Sequence, residues 1–184
     1  MKIKSHILVY VFLSVVIMFL AMPKQRFIKV AETDNIVQIR LLQSTILDRH
    51  QTLQLSKQDN TYTLKVNAKN KLDYYKALTY LAETEGINKD VKLNVDIKKS
   101  KNYDKHIKHL TKQLYYIISN INGVLEHDIK LHQNEENKYD KVIINIATNK
   151  NFDSNKIERT IKNIFLTSIP EFDENSVEIN IQYD

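Results

Sequence analysis

The sequence predicts an α+β protein: an N-terminal transmembrane helix followed by two tandem αββαβ modules, each a small mixed sheet with helices packed on one face. Three observations predict it. An apolar segment stands near the start of the 184-residue chain. Two seven-residue runs, 91–97 (VKLNVDI) and 177–183 (VEINIQY), match as V-x-(L/I)-N-(V/I)-x-(I/Y), and alternate with the period of a half-buried strand. The same order of helical and alternating segments leads up to each run.

The apolar segment, residues 7–22 (ILVYVFLSVVIMFLAM), is interrupted only by Tyr10 and Ser14 and lies behind Lys2 and Lys4. As a helix it would rise about 24 Å against a hydrocarbon core of about 30 Å, a gap that Phe27, Ile28 and snorkelling lysines would help to close. The stretch Phe19-Leu20-Ala21-Met22-Pro23 lacks the small-residue cleavage pattern and carries a proline where processing would occur. Residues 1–30 therefore read as an uncleaved signal-anchor, with a cytoplasmic N-terminus and the C-terminal part outside the cytoplasm as the expected orientation.

The first module is expected over 31–98. A helix over 35–49 is followed by hairpin-like strands at 52–56 and 61–68, then a helix over 74–85 that stops at Gly86. Asn70 and Asp73 are suitable N-caps. The second module is expected over 99–184, with 98–102 as the joint. Its first helix, 103–121, places Ile107, Leu110, Leu114, Ile117, Ile118 and Ile121 on one face, and Gly123 supplies the stop. Strands at 126–132 and 139–147 follow, then a helix over 155–167 capped by Asp153 or Ser154 and ended before Pro170. A repeat of about 80 residues is too long for a solenoid unit and describes tandem domains.

The element order αββαβ over roughly residues 35–183 resembles two groups: BON domains, and the ring-building modules of envelope rings in secretion and sporulation systems. The resemblance implies small envelope modules used for lipid contact or oligomerisation. The chain departs from the BON pattern in its loops, since Gly86 and Gly123 are its only glycines and both fall at helix ends.

Charge is informative once it is located. The formal net charge is +5, yet residues 1–30 hold five of the 27 basic residues and none of the 22 acidic ones, leaving 22 of each sign beyond them. The excess belongs to the flanks of the apolar segment, so no nucleic-acid partner is expected. The chain has no cysteine, which excludes a disulfide framework, a lipid-bearing cysteine and thiolate chemistry.

Of the six histidines, His106 and His109 have a workable ligand spacing on one helix, but Lys105, Lys108 and Lys112 beside them disfavour a cation. His127 and His132, five apart on a strand, point to opposite faces. There is no G-x-S-x-G and no glycine-rich phosphate loop. Glu135 and Glu136 read as a solvated turn rather than a glycosidase pair. No catalytic residue, metal or cofactor is expected, and a hydrolase stands only as a third reading. Among the tyrosine pairs, Tyr74-Tyr75 and Tyr115-Tyr116, one member of each is expected to face the core.

The leading expectation is a non-enzymatic, single-pass envelope protein held in the membrane through residues 7–22, whose modules associate with a protein partner or with themselves. The alternative is a sensor or adaptor that meets anionic lipid or wall polymer through Lys98, Lys99, Lys101, Lys105, Lys108 and Lys112, the one concentrated run of charge in the second part of the chain.

Overall fold

The structure is a computed structural model and describes residues 12, 26–49, 51–95, 103–134, 139–169 and 172–184. The fold is α+β, and among the described residues it has two sheets and four principal helices.

The chain enters the fold in a strand, β1 (Phe27–Thr33), followed by α1 (Ile36–Asp48), β2 (Leu53–Gln58), β3 (Thr61–Asn67), α2 (Lys71–Ala82) and the two-residue strand β4 (Lys92–Leu93). The second half contains α3 (Tyr103–Ile118), β5 (Val124–Gln133), β6 (Tyr139–Thr148), α4 (Ser154–Ser168), a 3-10 turn at Glu174–Ser176 and β7 (Val177–Tyr183). Local chemistry sets the boundaries. The side chain of Asn35 accepts from the backbone N–H groups of Val37 and Gln38, that of Asn70 from Asp73, and that of Asp153 from Asn155 and Lys156. Each satisfies donors that a helix start leaves without intrahelical partners. Asp73 is not itself the cap; its carboxylate accepts from the Lys69 N–H.

The second half has the expected order α3-β5-β6-α4-β7 and a mixed sheet, β5-β6-β7, with β5 antiparallel and β7 parallel to β6. The first half differs in two respects. Its sheet has the order β2-β3-β1-β4 and every pairing is antiparallel, so it is not mixed. The cause is β1: Phe27–Thr33 inserts between β3 and β4, where the second sheet pairs β6 directly with β7. Residues 27–30, read from the sequence as the end of the anchor, belong to this strand, with Val30 fully buried. The VKLNVDI run is correspondingly short as a strand among the described residues: of 91–95, Lys92 and Leu93 pair, with Glu32 and Ala31.

The core is continuous across the two halves. Ile39, Leu42, Leu64 and Leu78 from the first and Leu114, Ile117, Ile144 and Phe165 from the second are all at most 1% exposed and form one cluster. Helix α2 makes the junction. Tyr75 donates through its hydroxyl to Gln113 Oε1 on α3. Thr79 Oγ1 donates to the Ile117 carbonyl at 3.1 Å, and Asn163 Nδ2 on α4 donates to the Ala82 carbonyl at 2.9 Å. These bonds tie polar groups of the two halves together inside the junction.

Of the segment 7–22 only Phe12 is described, so the predicted anchor lies outside the described residues. Among those residues no helix is long and apolar enough to cross a membrane.

Candidate interaction surfaces

Two kinds of surface emerge from this fold: unpaired sheet edges, and the solvent face of α3. In the second sheet β5 and β7 each pair only with β6 among the described residues. β5 leaves a ten-residue edge and β7 a seven-residue one. The outer sheet face is polar and already cross-linked. Lys141 Nζ lies 2.6 Å from Glu178 Oε2, Lys130 Nζ lies 3.6 Å from Asp128 Oδ2, and Asn180 Nδ2 donates to Asn145 Oδ1 at 3.2 Å. Hydrogen bonds from Lys141 and then Asn180 hold Glu178 below the usual carboxylate range. This face is solvated, which leaves the edges as the more available part of the sheet.

Helix α3 buries Ile107, Leu110, Leu114, Ile117 and Ile118 and turns Lys105, Lys108 and Lys112 to solvent. Lys98, Lys99 and Lys101 lie outside the described residues. Tyr115 and Tyr116 complete the exposed side. Both remain well exposed, at 46% and 43%, whereas Tyr74 and Tyr75 are both buried. The expected split within each pair is therefore incorrect, because neighbouring helix positions lie about 100° apart and the two helices are covered differently. α2 is covered by its own sheet and by the second half, while α3 is covered on one side. Tyr116 still stacks on Tyr75, with centroids 5.7 Å apart and planes at 12°.

A groove beside α3 runs toward the β5 edge, with Tyr115, Tyr116, Ile129 and Leu131 as its apolar lining and Lys108 and Lys112 on its rim. His127, on the helix-facing side of β5, lines a neighbouring depression that shares Tyr115 with this groove. Its ring lies 4.1 Å from that of Tyr115 and its Nε2 is 3.1 Å from the Tyr115 carbonyl. Burial lowers its pKa below the usual 6.5, with the Tyr115 carbonyl and Asp128 opposing in part. His132 occupies the opposite sheet face, as strand alternation requires. His109 contacts Gln113, 3.4 Å between Nε2 atoms.

A cavity of about 850 Å³ lies where the loop before β4 meets the end of α4, with Ile87, Val91, Leu166 and Phe172 among its walls. Its polar lining includes Asp173, whose pKa is lowered by hydrogen bonds from the side chain and backbone of Ser176. That carboxylate accepts from the Asn175 and Ser176 N–H groups and from Ser176 Oγ. It is committed to capping the 3-10 turn. Among the described residues no group of three or more His, Asp or Glu side chains is placed to hold a metal ion.

The fold defines a two-sheet α+β body with one shared core. No family model matches the chain, and no curated protein matches it. Among solved structures it is similar to the type III secretion system protein EscJ of enteropathogenic E. coli, at 12% identity and a TM-score of 0.33, over 86% of this chain and 99% of that one.

Proposed function

We propose that the chain is a single-pass, membrane-anchored envelope protein, not an enzyme, whose two modules outside the cytoplasm associate with further copies of themselves. The observation that carries this reading is the pair of edges on the second sheet that no other strand among the described residues covers. An edge strand presents unpaired N–H and C=O groups to any strand that can lie beside it. β5 is antiparallel and β7 parallel to β6, so a second copy in the same orientation would offer its β7 to β5 as an antiparallel neighbour. Such a contact is heterologous, and it builds a ring or a filament according to the rotation between copies. The apolar segment 7–22, followed within a few residues by β1, supports attachment to a membrane.

The test is the mass of the full chain in detergent micelles, measured by light scattering over a wide concentration range at low and high salt. Concentration-dependent assembly that survives salt is expected. Leu125→Lys and Tyr183→Lys, at exposed positions on β5 and β7, should each return it to monomer with melting unchanged. A monomer at every concentration refutes the proposal.

A further inference from the structure

The position of Arg26 adds a constraint that the sequence does not contain. Only residues 23–25 separate the apolar segment from Arg26. Four extended steps reach at most about 14 Å. Arg26 and the end of the fold around it are therefore held close to any membrane that residues 7–22 enter.

That end is identified by three contacts. The Arg26 carbonyl accepts from the Ala68 N–H at 3.3 Å, which places Arg26 beside the turn that starts α2. Tyr75 meets Gln113 and Thr79 meets Ile117, both at a sequence offset of 38. Equal offsets mean that α2 and α3 run in the same direction, so the N-terminal turns of α3 lie toward the Arg26 end. From there Lys105, Lys108, Lys112 and Tyr115 follow at spacings of three, four and three along one face, all exposed. Lys69 and Lys71, also exposed, stand at the start of α2. Of the acids described near this face, Asp73 accepts from the Lys69 N–H, and Asp128 pairs with Lys130.

We infer that the exposed face of α3 lies on the anionic surface of the bilayer that holds the chain, laying the body on its side next to its own anchor. The occupant is the lipid surface: lysines attract anionic headgroups and tyrosines sit well at the interface. The opposite face of α3 is locked in the core, so the helix docks without inserting. This rests on the anchor proposed above.

The chain has no cysteine, so a fluorophore on Thr111→Cys, beside the lysine row, reports this face alone, and one on Gln54→Cys reports the far sheet. The full chain is placed in nanodiscs of phosphatidylcholine or of phosphatidylglycerol, each with headgroup quencher. Docking predicts quenching of the Thr111→Cys label in phosphatidylglycerol, reversed by high salt, and little at Gln54→Cys. Each lysine near such a surface is worth about 1 kcal/mol, roughly fivefold. Lys108→Gln with Lys112→Gln should therefore lower the docked-to-free ratio roughly thirtyfold. Equal quenching in both lipids, or quenching unchanged in the double variant, overturns the docking and leaves the anchor standing. Failure of the chain to enter nanodiscs overturns both.

Discussion

Replacing Tyr75 tests whether the two halves fold as one unit. Tyr75 is 7% exposed, stacks on Tyr116 and donates to Gln113 Oε1 across the junction, where Gln113 is itself buried. Tyr75→Phe keeps the ring and removes the hydroxyl, leaving a buried amide oxygen without that donor. The cost is about 1–3 kcal/mol. Tyr75→Ala removes the ring as well and costs about 3–5 kcal/mol. For a body of this size 1 kcal/mol corresponds to about 2–4 °C, so the melting temperature should fall by about 2–12 °C and 6–20 °C respectively. Scanning calorimetry should show one transition in the parent and in both variants, shifted as a whole, because the core residues of both halves form one cluster. Two transitions, of which only one moves, would refute the shared core, and an unshifted Tyr75→Phe would refute the role given to the hydroxyl.

Two further outcomes follow from local geometry. Gly86 and Gly123 both have positive φ, 78° and 98°, but a Cβ on Gly123 would lie 2.5 Å from Phe152 Cγ, whereas one on Gly86 meets nothing closer than Leu41 Cδ2 at 3.8 Å. Gly86→Ala should cost about 1–2 kcal/mol from backbone strain and Gly123→Ala clearly more, measured by denaturant unfolding. His127 binds protons more readily unfolded than folded, because burial lowers its folded pKa. Stability should therefore fall as the pH drops below about 6.5 toward that folded pKa, and His127→Gln should flatten this part of the melting-temperature profile; an unchanged slope would remove His127 as its source.

Much of the fold is legible in the sequence because local rules govern it. The hairpin strands expected at 61–68 and 139–147 are found at Thr61–Asn67 and Tyr139–Thr148, where alternation and a polar turn act together. The stripe from Ile107 to Ile121 is buried as its spacing requires. β1 is hidden because Phe27, Ile28 and Val30 stand so close behind the apolar segment that they read as its continuation past Pro23. The consequence spread to β4: VKLNVDI resembles VEINIQY in sequence, but β1 takes the place beside β3, and the two runs end in different pairings. Tertiary position, not propensity, decides that difference. The surfaces were legible only as charge. The lysine row could be read from composition, whereas its direction relative to Arg26 depends on how α2 and α3 pack, which no local pattern records.

The insertion of β1 between β3 and β4 also has a mechanical meaning. A load applied to the chain before Arg26 enters the first sheet along a central strand, bonded on one side through Phe27 to Thr33 and on the other through Ala31 and Glu32. Pulled along its axis, such a strand must slide past both neighbours at once, so its hydrogen bonds are strained together rather than opened one after another. An edge strand in that position would peel. A load arriving from the residues before Arg26 would thus meet the part of the sheet that shears, and would spread through the first sheet before any single pairing yields.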